Sequence, residues 1–254
     1  MKQIGITAII CMCAVSILSA EPTTNPGPAK TAKSVRLLPT DDHDAGTNLM
    51  ACWRFDEGIG KTVSDSTGKY TGTLHNASSK PWAASRNGTK FLSFDGKAYL
   101  ETSGFPFMQT GPGKAMTIAG WIKPIDGFII SKCSNDTGTN FEFAVAVDQG
   151  QLAWYGAGAA AGRTFLRLDD GAWHHFAVVL DDDTGTWFVD GAEDGTFRIN
   201  EPNCEQKVSL LIGACRTTAR GRIGLFYKGG IRDLYVYSGA LTSTAIERLA
   251  EPGK

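Results

Sequence analysis

The chain has no block of basic residues: 25 Lys and Arg stand against 26 Asp and Glu, for a net charge of -1 over 254 residues. Nucleic acids and anionic membrane surfaces recruit partners largely through positive charge, so this balance argues against both. No apolar run after residue 20 approaches the roughly 20 residues needed to cross a bilayer, so no membrane span is expected in the mature chain. No Cys-x-x-Cys pair or Cys/His spacing suits zinc. The small-residue patch at 156–162 lacks the Lys-Ser or Lys-Thr of a phosphate-cradling P-loop and reads as a mobile loop. Helical periodicity is almost missing, which leaves an all-β chain.

What is present begins with an export signal. Met1, Lys2 and Gln3 precede an apolar run over 4–18 and the small residues Ser19 and Ala20, so residues 1–20 read as a signal peptide cleaved before Glu21. Cys11 falls too early in that run to serve as a lipoprotein acceptor. Residues 21–47, rich in Pro, Thr, Lys and Asp, cannot bury enough apolar surface to offset their ordering entropy and read as a flexible leader. The mature protein is expected to be secreted, periplasmic or at the cell surface, with one domain over 48–254.

Four cysteines remain after the signal: Cys52, Cys133, Cys204 and Cys215. An even count in an exported chain favours disulfides, and three pairings are open. Cys204 with Cys215 is disfavoured, because a strand over 208–212 would hold them about 25–30 Å apart at ~3.3 Å per residue, against ~7 Å for bridged Cα atoms.

From residue 48 onward short apolar runs alternate with clusters of Gly, Asp, Asn and Ser, the pattern of many strands joined by tight turns. The spacing predicts strands at 50–55, 91–94, 98–102, 116–123, 127–132, 141–148, 151–155, 164–167, 173–181, 186–189, 197–199, 208–213 and 230–237. The clearest is the hairpin in which Trp173, His174, His175 and Phe176 lead one β-rich run, Asp181, Asp182 and Asp183 turn, and Trp187, Phe188 and Val189 return. Alternation puts Phe141, Phe143, Val145 and Val147 on a core face, and Ile231, Asp233, Tyr235 and Tyr237 on the face opposite Arg232, Leu234 and Val236. A short helix is predicted from Thr242 or Ser243, turning Ile246 and Leu249 inward.

Several segments match one pattern in order: Cys52, Trp53 and Arg54 with Phe55; Asp65, Ser66 and Gly68; Phe94, Asp95 and Gly96; Gly120, Trp121 and Ile122; Ser131 and Lys132; the Trp173 hairpin; Leu211, Ile212 and Gly213; and Gly230 through Asp233 to Leu241. Together they resemble the concanavalin A-like, laminin G-like domains of bacterial secreted proteins, with a more distant likeness to pentraxins. The resemblance implies a two-sheet antiparallel jelly-roll sandwich with a short C-terminal helix, often carbohydrate-binding, often bearing a structural calcium, and seldom catalytic by itself.

Pentraxins clamp calcium between two loops that here contain Cys133 and Cys215. The resemblance therefore implies that these two cysteines form a disulfide where pentraxins use metal, which leaves Cys52 with Cys204. Asn135 and Asp136 keep acidic character in the first loop, whereas Arg216, Thr217, Thr218 and Arg220 stand where acidic partners belong.

A different calcium site could join Asp65 and nearby carbonyls to Asp233, since hard cations take several oxygen ligands. In the competing reading Asp65 caps a turn and Asp233 pairs with Arg232 or Arg222. For sugar stacking the candidates are Trp154, Tyr155 and Trp82, with core or turn packing as the alternative; Trp154 and Tyr155 must face opposite ways. Trp53, Trp121, Trp173 and Trp187 read as core. Glycosidases of this fold often carry a Glu-x-Asp-x-x-Glu pattern, and here Glu142 stands alone in its strand.

The expected function is an exported, non-catalytic carbohydrate- or surface-binding module whose partner is a polysaccharide, a glycan or a surface protein. The alternatives are a protein-interaction scaffold that binds no sugar and, further off, a polysaccharide-cleaving enzyme.

Overall fold

The computed structural model describes residues 48–133, 141–156, 159–199, 207–217 and 222–252. The signal peptide, the leader, Asn135, Asp136, Thr218, Arg220 and Cys204 lie outside the described residues.

In chain order the strands are β1 (Asn48–Trp53), β2 (Thr62–Val63), β3 (Gly72–His75), β4 (Trp82–Ala84), β5 (Lys90–Asp95), β6 (Tyr99–Thr102), β7 (Ala115–Cys133), β8 (Phe141–Asp148) and β9 (Gln151–Gly156). They continue through β10 (Ala159–Arg163), β11 (His174–Asp181), β12 (Thr184–Val189), β13 (Ala192–Arg198), β14 (Leu210–Ile212), β15 (Cys215–Arg216), β16 (Ile223–Gly224) and β17 (Lys228–Ser238), and end in the helix α1 (Ser243–Leu249).

These strands pair antiparallel into two layers. One runs β13, β12, β11, β7, β17, with β5 and β1 end to end along the far edge of β17 and β4 beyond β5. The other runs β10, β9, β8, β7, β14, β6, β3, β2, and β15 with β16 forms a separate small ribbon. The first and last strands lie together, Cys52 opposite Tyr235.

The sequence reads two strands at 116–123 and 127–132, yet β7 is one strand of 19 residues. Its first half pairs with β11 and β17 and its second half with β8 and β14. Pro124 and the exposed Ile125 mark the bend where it changes layers. Proline lacks the N–H a central ladder needs, so it is tolerated where pairing switches.

Between the layers lies a core of aliphatic and aromatic side chains in which Trp53, Trp154 and Trp187 are fully buried. Alternation selects them: Phe143, Val145 and Val147 of β8 face Phe176, Val178 and Leu180 of β11 across this core. Phe141, expected on the same face, instead packs outside with Phe128, because the β7–β8 register shifts between Lys132 and Cys133.

A similar slip corrects the last strand. The register of β17 on β7 moves from Arg232 opposite Trp121 to Tyr235 opposite Ala119, three residues against two, and Asp233 takes φ 49. This bulge reverses the alternation, so Ile231, Leu234 and Val236 point into the core and Arg232, Tyr235 and Tyr237 point out.

The patch at 156–162 also departs from expectation. β9 ends at Gly156 and β10 pairs back on it as an edge strand, whereas the strand predicted at 164–167 is absent. Phe197 lies over this ribbon, and a Cβ on Gly162 would come within 2.2 Å of its ring, so a residue without a side chain is required there. The helix forms as predicted: the Thr242 side chain accepts from Ala245 N at 3.3 Å, capping its start, and Ile246 is buried while Leu249 is half-buried.

Candidate functional site

The three aromatics expected to stack on sugar come to different places. Trp154 is fully buried, its ring stacked on Phe143 at 6.2 Å and 8°, so it offers no face to a ligand; the inward phase of β9 makes it core. Trp82 is half-buried at the sheet edge, where its indole N–H donates to Gly60 O at 3.0 Å. Tyr155 points out of the sandwich and joins Phe128 at 5.2 Å and Phe141 at 5.6 Å in a three-ring patch. Among the tryptophans expected as core, Trp121 and Trp173 lie instead on the outer face of the first layer.

Asp65 does not fit a calcium ligand. Its carboxylate accepts from Cys52 N at 2.7 Å, Thr67 N at 3.1 Å, Lys69 N at 3.1 Å and Tyr70 N at 3.2 Å, and from the Thr67 hydroxyl. Five donors direct positive ends at both oxygens, an environment built for an anion's lone pairs and occupied by the protein itself. Burial pushes this carboxyl upward, but the donors outweigh it and hold its pKa below the ordinary value. Asp233 is engaged by Arg232, whose Nη1 donates to Oδ2 at 2.8 Å. Among the described residues no group of three or more His, Cys, Asp or Glu could hold a metal ion.

The sulfurs of Cys133 and Cys215 lie 3.0 Å apart and are buried, beside Ala144 and Ala146 under the three-ring patch. Their mutual hydrogen bond draws Cys133 downward and Cys215 upward in pKa. Cys52 is buried beside Ser66, whose hydroxyl lies 3.8 Å from its sulfur, and burial raises its thiol to about 12.

Each member of the close cysteine pair adjoins a cation. Lys132 precedes Cys133 and Arg216 follows Cys215, and both side chains line a cavity of about 540 Å³ with Ser103, Phe105, Lys207 and Ser209. Arg216 is held in place, its Nη1 donating to Ser209 O at 2.7 Å and its Nη2 to Glu101 Oε1 at 2.9 Å. Glu101 is in turn 3.7 Å from His75, whose ring stacks on Tyr99 at 4.8 Å and 16°. Lys132 pairs with Glu142 at 3.0 Å and donates to Pro106 O at 3.0 Å, while Met108 N donates to Glu142 at 3.0 Å. Glu142 is sealed from solvent by these contacts, which gives it a structural role.

The cavity offers the fixed Arg216 guanidinium and the hydroxyl-bearing Ser103 and Ser209 beside an apolar wall at Phe105. That set suits a polyhydroxyl ligand, which needs donors and acceptors held in register. Sequence reasoning missed Lys132, Lys207 and Arg216 as cavity residues, and Glu101 as the partner that holds Arg216. The alternation at 98–102, with Leu100 and Thr102 inward, was the signal that Tyr99 and Glu101 face out.

A profile of the concanavalin A-like lectin/glucanases superfamily, Laminin_G_3, matches residues 94–247. No curated protein matches the chain. Among solved structures, the binding domain of Paraclostridial Mosquitocidal Protein 1 is similar at a TM-score of 0.60 and 14% identity, over 80% of this chain and 52% of that one. Domain 4 of AbnA, a GH43 extracellular arabinanase from Geobacillus stearothermophilus solved with arabinotriose, is similar at 0.58 and 21%, over 81% and 99%. The botulinum neurotoxin serotype D binding domain is similar at 0.56 and 11%, over 80% and 50%. The chain thus spans about half the length of the toxin binding domains and nearly all of the arabinanase domain. With the profile covering more than half of its length and the antiparallel sandwich in place, the chain belongs to the concanavalin A-like lectin/glucanase superfamily.

Proposed function

We propose that this protein is an exported, non-catalytic binding module that takes a glycan in the cavity between residues 103–105 and 207–209. The observation that carries the reading is the fixed polar lining: the Arg216 guanidinium, pinned by Glu101 and Ser209, lies in one cavity with Ser103, Lys207 and Ser209. Groups held before the ligand arrives lose little freedom on binding. The similar arabinanase domain, solved with arabinotriose, supports a sugar as the ligand class.

A second reading, a protein-docking domain, is favoured by the outward ring patch of Phe128, Phe141 and Tyr155. A similar botulinum neurotoxin DC binding domain was solved with rat synaptotagmin II. Export places either partner outside the cytoplasm, on a polysaccharide or a cell surface.

A glycan array that includes arabinan oligosaccharides tests the first reading against Lys207→Ala and the cavity-filling Ser103→Trp. Binding by the parent that drops at least about tenfold in both variants is expected, the scale of one lost hydrogen bond to a charged group. A blank array together with a protein partner that Tyr155→Ala releases would establish the second reading instead.

A further inference from the structure

A second cavity, of about 340 Å³, opens on the outer face of the other layer, between the β4–β5 turn and Pro252. Its sheet side is built of flat groups fixed before any ligand arrives. Arg232 sits directly opposite Trp121 in the β17–β7 ladder, and its guanidinium lies 4.3 Å from the Trp121 ring centroid. The same guanidinium donates to Asp233 at 2.8 Å, so its charge is balanced within the protein. Trp121 also meets the buried His175 edge-on at 5.5 Å and 66°. Trp173 is half-buried, braced by Phe91 at 5.0 Å, and lies close over Gly230, where a Cβ would stand 2.7 Å from the indole.

The turn side is polar and closes on itself. Ser85 N donates to Thr89 O at 2.9 Å, Gly88 N to Ser85 O at 2.9 Å, and Thr89 N to Asn87 Oδ1 at 3.2 Å, so the turn holds its shape without help from the cavity. The Ser85 hydroxyl also donates to Asn87 Oδ1. Among the described residues the Asn87 carboxamide is thus engaged through its oxygen, and its two amide hydrogens remain for a ligand. The exposed Arg86 adds donors at the same rim.

An indole on one side and amide and guanidinium donors on the other match the two sides of a sugar ring, whose C–H face seeks a π surface and whose hydroxyls seek polar partners. With Arg232 already paired, the cavity holds no buried charge that calls for a charged ligand. We propose that it is a second sugar site, which takes one neutral pyranose ring: the C–H face against Trp173 and the hydroxyls at the Asn87 amide and Arg86. The volume lies near the lower limit for small-molecule sites, which suits one ring of a chain. This inference rests on the glycan reading above and adds a site on the opposite layer, so that one module holds two glycan segments and gains avidity when both belong to one surface.

Isothermal titration calorimetry of the full chain with the neutral trimers cellotriose, mannotriose, galactotriose and xylotriose tests this, in the parent and in Ser103→Trp, which fills the first cavity. At least one trimer should bind both proteins. Its affinity should fall about tenfold or more when Trp173→Ala or Arg86→Ala is added to Ser103→Trp, and should hardly change with salt, because the ligand is uncharged. Arg86 is exposed, so its variant should fold, and Trp173→Phe replaces Trp173→Ala if circular dichroism shows the latter unfolded. No binding by any trimer, or binding that survives either Trp173→Ala or Arg86→Ala, overturns the proposal. Binding that Ser103→Trp abolishes also overturns it, while sparing the first cavity as the sugar site.

Discussion

Lys132 and Glu142 form an ion pair at 3.0 Å with side chains 3% and 0% exposed, and between them they tie Pro106 O and Met108 N to the end of the sandwich. A buried pair is costly to break from one side, because the remaining charge has no solvent to turn to.

Lys132→Met should therefore destabilise the fold by about 3–5 kcal/mol, whereas Lys132→Met with Glu142→Leu should recover most of the loss. Urea unfolding of both variants measures this; a double variant no more stable than the single one would mean that the pair is not the source.

Cys133 and Cys215, 82 residues apart in sequence with sulfurs at 3.0 Å, should be found bridged in protein recovered from an oxidising compartment. Closing so long a loop constrains the unfolded chain, and reduction should lower stability by about 4 kcal/mol. Non-reducing peptide mapping identifies the partners, and a Cys133 peptide joined to any other cysteine contradicts the pairing.

His174 sits between Asp190 at 2.9 Å and Asp170 at 3.0 Å. Burial pulls its pKa down, but the two carboxylates outweigh that, so it ends above the ordinary 6.5. A raised folded value means that the stability it contributes is complete below that ordinary pKa and fades as pH climbs through the folded one. The gap in melting temperature between the parent and His174→Gln should be wide near pH 5.5 and narrow near pH 8.5, on either side of the histidine range.

Asp65→Ala should cost more than about 3 kcal/mol, since five donors lose one charged acceptor. The lowered folded pKa places its contribution above the ordinary 3.8 and removes it as pH falls through the lower folded value, so acid unfolding of Asp65→Asn should be less steep than that of the parent. A chelator should leave the parent's melting temperature unchanged; a clear drop would restore calcium to this turn.

The hairpin of β11 and β12 and the capped helix were legible because each rests on local chemistry: β-branched runs, Asp-rich turns, a threonine cap. The bulge at Asp233 was not, since one inserted residue leaves composition and spacing untouched while exchanging the two faces of β17. Trp154 and Tyr155 were correctly set on opposite faces, but which of them meets solvent depends on the neighbouring layer, and alternation alone does not say. The lining of the first cavity was invisible for a similar reason. Lys132, Lys207 and Arg216 converge only after β7 and β14 have paired, and no motif in the chain joins them.

The 19-residue strand β7 has a consequence for how the molecule comes apart. Since a single backbone threads both layers, neither can peel away as an autonomous half, and shear between them must be absorbed at the bend around Pro124. Melting should then be one cooperative event without a surviving hemisphere, and refolding slow, because long-range pairings have to assemble on both flanks of the same spine.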